Sequence, residues 1–384
     1  MELVITGANV YTGGAFRQRE VYIKDGVIAQ LAPAVAAPEG CPRLDVQGKR
    51  LVPGFIDLHT HGGAGVDVNA ATAEQLNDTI GRFFASQGTT GWLCSVLTDT
   101  PRQTLWCIEQ AKQAMARTGE HAQLLGIHLE GPFLAPEYKG AMPEHLLRTG
   151  DAALFRQYAQ AAGGAVKYIT VSPEVENVPQ MIREIAGEVV VAIGHSGADY
   201  DTAMECVANG AAAATHTFNA MKLLHQHFPA IMGAVLESDV YCEAICDGRH
   251  LHPGTVRFLL KCKGWDRVVA VTDSILAAGL PDGRYKLGVN DVVVEDGDAK
   301  LADGGSRAGS TLTTGQALKN LVAFTGQPVE KVLPLLTENP ADLLRMGQRK
   351  GRIRPGFDAD LVVLGDDLTV LRTLVGGRTV YAKA

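Results

Sequence analysis

The sequence predicts an α/β protein: a TIM-like (β/α)8 barrel joined to a small β-sandwich domain that both chain ends build. The central part has eight short apolar runs, mostly separated by helical segments, which is the pattern of a parallel barrel. Both chain ends instead carry short strand-like runs with Asp-Gly or Gly-Gly turns. We therefore predict a small β-domain over 1–52 plus 345–384 and a barrel over 53–344.

The composition is that of a globular protein, with 384 residues of which 46% are hydrophobic and 20% charged. A net charge of −7 argues against a nucleic-acid partner. No apolar run approaches the roughly 18 residues of a membrane helix, so no membrane association is expected. The N-terminus lacks the features of a signal peptide, and seven cysteines without a CxxC pair suit reduced thiols. We expect a cytoplasmic protein.

Each predicted barrel strand is an apolar run that ends in a polar or glycine-rich segment. The strands are expected at 55–61, 90–97, 124–130, 166–171, 189–195, 212–216, 240–246 and 267–273. The sixth is weakly marked because alanine is a poor strand former. Helices are expected near 72–87, 102–117, 199–209, 313–325 and 329–344. The Gly- and Asp-rich segment 284–308 reads as a hairpin inserted after the eighth strand.

The first predicted strand ends in two histidines, His59 and His61. Residues two apart in a strand point to the same side, so these imidazoles are placed as two ligands of one metal ion would be. A histidine pair of this kind also fits a polar strand edge, so the pair alone does not decide between the two readings.

Active sites of (β/α)8 barrels form at the carboxyl ends of the strands. Acidic residues and histidines stand at several of these ends: His59, His61, Glu130, His195, His216 and Asp273. So many at one end of separate strands indicate a metal site. Imidazole and carboxylate ligands suit a divalent transition ion, zinc first, with iron, cobalt and manganese as alternatives.

The residues also suggest how the site would work. Glu130, His195 and His216 would provide three ligands and leave a position for water, as in catalytic sites. His59 and His61 could hold a second ion with Glu130 as the bridge, which makes one or two ions per subunit. A metal lowers the pKa of water toward neutrality, and a nearby carboxylate can then move the protons. We predict Asp273 as this general base and acid, in hydrolysis of an amide or related acyl bond.

The chain resembles the amidohydrolase superfamily and, within it, the N-acetylglucosamine-6-phosphate deacetylases. The matching motifs spread from about residue 50 to 320. They are PGFIDLHTHG at 53–62, HLEGPF at 128–133, GHS at 194–196, THTFNAM at 215–221, DGRH at 247–250, VTD at 271–273 and AGSTL at 308–312.

This resemblance implies the metal ligands and the proton-transferring aspartate described above. It places His250 in the substrate pocket and suggests that Asn219 and Ala220 offer backbone groups to the sugar or its phosphate. The implied substrate is N-acetylglucosamine-6-phosphate, cleaved to acetate and glucosamine-6-phosphate. The resemblance also implies a homodimer in which the neighbouring subunit completes the phosphate site.

Two positions depart from the family pattern. The family usually has Lys-Gly-Ala-His where this chain has Met142 at the fourth position, so the histidine that polarises the acetamide is missing, with His145 as a candidate replacement. His227 stands where the family usually has a phosphate-binding Arg, and histidine is a weaker, pH-dependent phosphate partner. Arg249 is the candidate replacement cation. The sugar epimer and the phosphate therefore stay open.

Other readings remain. The substrate could be N-acetylgalactosamine-6-phosphate or an unphosphorylated or other N-acyl compound. The chain could also be another amidohydrolase, such as a dihydroorotase, hydantoinase or N-acyl-amino-acid hydrolase. Many of those bridge two metals with a carboxylated Lys at the end of strand four, where this chain has Val171-Ser172-Pro173-Glu174. Asp273 argues against a non-catalytic metal-binding or sugar-binding protein, because such a protein needs no proton shuttle.

Overall fold

A barrel of eight parallel strands positions the site in the computed structural model, which describes residues 1–383. The spatial order of the strands follows the chain order. The barrel strands, named first to eighth, are Phe55–Asp57, Thr89–Leu97, Gln123–Glu130, Val166–Val171, Val190–Ile193, Ala213–Ala214, Tyr241–Ile245 and Val268–Val271. Backbone hydrogen bonds close the barrel, since the Asp273 N–H donates to the His59 carbonyl (2.8 Å) and the His61 N–H to the Ser274 carbonyl (2.7 Å).

Strands from both chain ends form a second sheet of eight strands, as the sequence predicted. They are Glu2–Thr12, Ala15–Lys24, Val27–Ala32, Arg43–Asp45, Arg50–Pro53, Leu361–Leu364, Val370–Val375 and Arg378–Ala382. Leu361–Leu364 pairs antiparallel with Arg50–Pro53, which joins the two ends of the chain. Buried apolar residues such as Ile5, Val21 and Leu374 give this sheet a core separate from that of the barrel.

Two tight turns in this sheet explain its hairpins. Asp25 and Gly26 both have positive φ (51° and 82°), and so do Gly376 and Gly377 (53° and 77°). Positive φ at both central residues is the geometry of the type I′ turn, which matches the twist of the flanking strands. Asp-Gly and Gly-Gly adopt this turn at little steric cost, so the sequence marks both hairpins correctly.

Helices surround the barrel, and side-chain caps start several of them. The Thr72 hydroxyl accepts a hydrogen bond from the Gln75 N–H, and the Gln75 side-chain oxygen accepts one from the Thr72 N–H, which is a capping box. The helices are Ala73–Gln75 continued by a π-helical stretch Leu76–Gly81 and by Arg82–Ser86, then Pro101–Met115, Ala152–Ala161, Val178–Ile185, Tyr200–Ala208, Ala230–Glu237, Pro253–Lys263, Thr314–Thr325, Val329–Val332 and Glu338–Leu343. The 3-10 turns are Val68–Ala70, Pro136–Tyr138, Glu144–Leu146 and Leu333–Leu336. Among residues 1–383, no helix combines the length and apolar character that crossing a membrane requires.

The structure departs from the predicted elements in three places. The first barrel strand ends at Asp57, and the two histidines lie beyond it, after a bend at Leu58. The helix expected at 329–344 is broken into short pieces, because prolines such as Pro334 lack the N–H that a continuous helix needs. The predicted hairpin after the eighth strand is a three-stranded antiparallel sheet, which we call the inserted sheet. Its strands are Gly283–Leu287, Asn290–Glu295 and Asp298–Leu301. Two further short strands, Gly62–Gly63 and Val66–Asp67, pair with each other in a separate sheet.

A buried lysine joins the barrel to the segment that leads into the chain-end sheet. The Lys350 Nζ lies 2.6 Å from an Asp360 carboxylate oxygen and 3.0 Å from one of Asp358. It also donates to Gln123, the first residue of the third barrel strand, at 3.1 Å. Burial disfavours the charged lysine, but Asp360 and Asp358 outweigh this and raise the pKa of Lys350.

We expect Lys350→Met to lower the free energy of unfolding by about 3–5 kcal/mol, because it leaves the buried Asp360 without its cation and Asp358 with only the exposed Arg349. Urea unfolding measures the change. Arg349→Ala is the matched control: Arg349 also pairs with Asp358, but its side chain is 73% exposed. An exposed pair contributes about 1 kcal/mol or less. Equal effects of the two substitutions would contradict the buried role of Lys350.

Candidate active site

The predicted metal ligands converge at the carboxyl end of the barrel. The Nε2 atoms of His59 and His61 are 3.1 Å apart, and those of His195 and His216 are 2.9 Å apart. Each pair comes from neighbouring positions of the barrel rim, and every one of these side chains is buried. The barrel therefore brings the histidines that the sequence singled out into two adjoining pairs.

Glu130, at the end of the third strand, lies between the two histidine pairs. Its Oε1 is 3.1 Å from the His195 Nε2 and 3.5 Å from the His216 Nε2. Its Oε2 is 3.1 Å from the His61 Nε2, and Oε1 is 3.4 Å from the His59 Nε2. One carboxylate thus faces both pairs, which is the position of a bridging ligand.

The hydrogen bonds of the four imidazoles define which nitrogen faces the centre. Each Nδ1 lies within hydrogen-bond distance of an oxygen outside the group. These contacts are His59 to Glu243 Oε2 (3.0 Å), His61 to the Ser95 carbonyl (3.1 Å), His195 to the Tyr138 carbonyl (2.7 Å) and His216 to the Asn219 carbonyl (3.1 Å). A carbonyl or carboxylate only accepts, so Nδ1 carries a proton and each Nε2 is the nitrogen that faces the centre and can bind a metal ion there.

The donor set fits one or two divalent cations. Two groups have all their ligand atoms within 4.8 Å of one another: His59, His61 and Glu130, and Glu130, His195 and His216. Nitrogen and oxygen donors packed this closely repel one another unless a proton or a metal ion lies between them. When bound, such an ion supplies a Lewis acid and lowers the pKa of water. Three protein ligands for each ion leave a position open, as catalytic sites require.

Asp273 lies beside the first histidine pair and faces a cavity. Its Oδ1 is 3.3 Å from the His61 Nε2 and 3.6 Å from the His59 Nε2. Asp273 also lines a cavity of about 380 Å³ whose floor includes Glu130 and His195. A carboxylate in this place reaches both the metal-binding groups and a molecule in the cavity, which is the geometry that a proton-transferring residue needs.

Strained backbone marks the strand ends that carry the site. His195, His216 and Asp273 have positive φ values of 47°, 26° and 51°. Non-glycine residues adopt this region at a cost, and such residues concentrate at functional sites where the surrounding structure holds them. Here backbone hydrogen bonds help to hold the strain, for instance from the Ser310 N–H to the Asp273 carbonyl at 2.7 Å.

Two buried titratable groups support the first histidine pair from below. Burial raises the pKa of Asp57 to about 7, although hydrogen bonds from Thr272 and His59 oppose this shift. Burial also lowers the pKa of His128 well below its usual value, and its Nε2 lies 2.9 Å from the Thr170 hydroxyl. A neutral His128 packs edge-on against the His59 ring without adding charge beneath the site.

Four of the predicted substrate-contacting residues line the cavity: Met142, Asn219, Ala220 and His250. His250 is oriented by Asp247, whose Oδ2 lies 2.7 Å from its Nδ1. Burial disfavours the charged form of Asp247, but the hydrogen bond from His250 outweighs this and lowers its pKa. The second nitrogen of His250 is thereby left for a molecule in the cavity.

Met142 reaches the cavity on a loop that packs against a metal-binding histidine. Gly140 in this loop has a positive φ of 56°, and a Cβ there would lie 3.1 Å from the His195 ring. The Met142 side chain is buried and belongs to an apolar cluster with Leu97 and Leu287, which also line the cavity. This wall of the cavity is therefore apolar where the family pattern has a histidine.

Three other candidates lie outside the cavity of their own chain. Arg249 donates to the backbone carbonyl of Asp296, at a turn of the inserted sheet. His227 stands on the exposed loop 222–228, and His145 on an exposed 3-10 turn. Arg249 therefore secures the inserted sheet, and the predicted replacement cation and replacement histidine are not brought to this cavity.

Sequence reasoning missed residues that the structure brings to the site. Glu243 is fully buried in the seventh strand, and Arg307 lines the cavity beside the inserted sheet. Glu137 and Tyr138, on a 3-10 turn after the third strand, line it as well. A glutamate inside an apolar strand such as Tyr241–Ile245 was a usable signal, because charged residues are rarely fully buried without a partner.

Glu243 supports both histidine pairs through a single oxygen. Its Oε2 lies 3.0 Å from the His59 Nδ1 and accepts the His216 backbone N–H at 2.9 Å. We expect Glu243→Ala to weaken metal binding about 10- to 100-fold, because such supporting partners orient the ligands. Competition with a chelator measures this affinity. The exposed Glu237→Ala is the control, and wild-type affinity in the Glu243 variant would refute the role.

Comparison with known proteins agrees with this architecture. Residues 50–380 match the Amidohydrolase family. The chain is 34% identical to the N-acetylglucosamine-6-phosphate deacetylase of Lysinibacillus sphaericus, over 98% of this chain and 97% of that one. It is also 34% identical to the N-acetylgalactosamine-6-phosphate deacetylase of Escherichia coli O157:H7, over 95% of each. The crystal structure of the Pasteurella multocida N-acetylglucosamine-6-phosphate deacetylase matches with a TM-score of 0.93 and 28% identity over both whole chains.

The fold and the family match define the class of the protein as a metal-dependent hydrolase of carbon–nitrogen amide bonds on a (β/α)8 barrel. The chain belongs to the amidohydrolase family and, within it, to the N-acetylglucosamine-6-phosphate deacetylases. The predicted fold class and enzyme class are therefore confirmed.

Proposed function

We propose that this protein removes the acetyl group of N-acetylglucosamine-6-phosphate and releases acetate and glucosamine-6-phosphate. The observation that carries the proposal is Glu130 placed between two inward-facing histidine pairs, with Asp273 at 3.3 Å from His61 and with both carboxylates bordering one cavity. Relatives that act on this substrate match nearly the whole chain.

In this proposal Asp273 moves the protons. Its carboxylate accepts a proton from the attacking water and returns it to the amide nitrogen as the carbon–nitrogen bond breaks. The residue is suited to both steps because it borders the metal-binding groups on one side and the cavity on the other. His250, held by Asp247, orients the sugar from the cavity wall.

Met142 sets a limit on how the acetamide is activated. A thioether is a weak acceptor with no proton to donate, so this position supplies no hydrogen bond to the amide carbonyl. Asn219 and Ala220 line the cavity and are proposed to contact the sugar or its phosphate. The apolar wall of Met142 and Leu97 suits the methyl group of an acetyl substituent.

We propose zinc as the metal, because imidazole and carboxylate donors with an open position suit it well, and Glu130 allows a second ion. We also propose a homodimer: Leu223, Leu224 and Phe228 are large apolar side chains exposed on loop 222–228, which also carries His227. A cytoplasmic location is supported by the seven cysteines, which form no disulfides with one another. Metal analysis and light scattering test the first two.

Acetate release tests the proposed activity. Metal-analysed protein is incubated with N-acetylglucosamine-6-phosphate, its galactosamine isomer and the two unphosphorylated sugars. We expect the highest kcat/KM with N-acetylglucosamine-6-phosphate. The galactosamine isomer is the second candidate, because the relative that acts on it is as similar, at 34% identity. No release from any of the four, with metal bound, would refute the proposal.

A further inference from the structure

The cavity contains one permanently charged cation among the described residues. Its lining carboxylates are Glu130 and Asp273 at the floor and Glu137 at the rim, and its lining imidazoles include the metal-binding groups. Arg307 is the only lysine or arginine in the lining. An anionic substituent of a molecule bound here would therefore find its strongest available partner at Arg307.

The guanidinium of Arg307 is held on one side and free on the other. Its Nε donates to Asp298 Oδ1 at 2.9 Å and its Nη2 to Asp298 Oδ2 at 3.2 Å. A guanidinium has five N–H donors, so this side-on pair leaves the Nη1 edge available. The Asp298 side chain is 14% exposed and that of Arg307 is 41% exposed, so the more buried carboxylate holds one edge of the more exposed guanidinium.

The local charge stays positive although Asp298 is paired. Lys300 also contacts Asp298 Oδ2, at 3.1 Å, so two cations share one carboxylate. Burial disfavours ionisation of Asp298, but Arg307 and Lys300 outweigh this and lower its pKa. Arg307 therefore keeps net attraction for a second anion, and its planar fork matches the oxygens of a phosphate monoester in two parallel hydrogen bonds.

Backbone hydrogen bonds on both sides of Arg307 keep this residue near Asp273. The Leu301 N–H donates to the Ser306 carbonyl at 2.8 Å, which ties this segment to the inserted sheet. Three residues after Arg307, the Ser310 N–H donates to the Asp273 carbonyl at 2.7 Å. Three residues span at most about 11 Å, so Arg307 and Asp273 border the same small volume.

We propose that Arg307 binds the anionic substituent of the substrate, the phosphate in the function put forward above, on which this inference rests. The other candidate cations lie elsewhere: Arg249 secures the inserted sheet and His227 lies outside the cavity of its own chain. Because Asp298 of the inserted sheet holds Arg307, this sheet thus contributes to the selection of anionic substrates by the cavity.

Kinetics with paired substrates test the role. Arg307→Ala is expected to raise KM for N-acetylglucosamine-6-phosphate about ten- to hundredfold, the effect of losing charge-assisted hydrogen bonds to the phosphate. Its KM for unphosphorylated N-acetylglucosamine is expected to stay within about twofold of wild type. Lys300→Ala is the matched control, since Lys300 pairs with the same Asp298 but does not line the cavity, and its KM is expected to change far less than that of Arg307→Ala.

Binding of glucose-6-phosphate, measured by calorimetry on the metal-loaded protein, separates this inference from the proposed activity. Wild type and Lys300→Ala are expected to bind this probe, and Arg307→Ala to bind it at least about tenfold more weakly. That pattern supports the role of Arg307 even if no acetate is released in the activity assay. Equal affinity of wild type and Arg307→Ala, or no binding by wild type, would overturn it.

Discussion

Asp273→Asn is expected to retain its bound metal and to lose turnover by about a thousandfold or more, in line with the 10²- to 10⁴-fold effects of removing a general acid–base group. The amide has nearly the same size as the carboxylate, and the backbone hydrogen bonds that hold position 273 do not involve the side chain. The substitution removes proton transfer, because an amide neither accepts a proton from water nor returns it to the leaving nitrogen. Steady-state acetate release measures the loss.

Metal analysis of the same preparation is the necessary control. The Asp273 Oδ1 lies 3.3 Å from the His61 Nε2, so the aspartate is close enough to affect metal binding as well. An unchanged metal content together with lost turnover isolates the proton-transfer role. Turnover within tenfold of wild type would remove Asp273 from that role, and loss of metal would make it a ligand instead.

The sequence was most informative where a polar residue ends a barrel strand. Glu130, His195 and Asp273 each follow a run of buried apolar residues, and the carboxyl ends of parallel strands necessarily share one rim. Their convergence could therefore be predicted without any coordinates. The turns at Asp25-Gly26 and Gly376-Gly377 were equally readable, because few residue pairs adopt two positive φ angles in succession.

The sequence was least informative where the position of a side chain depends on the path of a loop. Arg249 and Arg307 are both arginines in glycine-containing segments, and nothing in their local sequences says which one faces the cavity. Contacts with the inserted sheet decide it: Arg249 is bound to the backbone at Asp296, and Arg307 is held facing the cavity by Asp298. The Arg249 contact joins residues 47 apart in sequence, and the Arg307 contact depends on how the inserted sheet folds back, so local patterns encode neither.

Glu243 shows a different limit. Its strand, Tyr241–Ile245, has the apolar pattern of a barrel strand. The segment was therefore predicted as a strand, and its one charged residue was not predicted to support the site. The role of Glu243 follows from which atoms it touches, the His59 Nδ1 and the His216 N–H, and both partners are distant in sequence. A buried charge in a strand predicts that some partner exists, but only the fold identifies the partner.

Glu130→Ala is expected to abolish metal binding at both histidine pairs and to lower turnover by more than about a thousandfold, because a metal supplies several kcal/mol of transition-state stabilisation. The reason is the shared carboxylate: its two oxygens face both pairs, at 3.1 Å from the His195 Nε2 and 3.1 Å from the His61 Nε2. Metal content per subunit after exhaustive dialysis and reloading measures the first effect.

His61→Ala is the matched control for Glu130→Ala. It removes one ligand of the first pair but leaves Glu130, His195 and His216 as a complete three-ligand group. We expect this variant to keep at least one ion per subunit and to retain measurable acetate release, whereas Glu130→Ala keeps neither. If both variants lost all metal, the two pairs would form a single interdependent centre. If Glu130→Ala kept a full complement, the histidines alone would suffice and the carboxylate would not be a bridge.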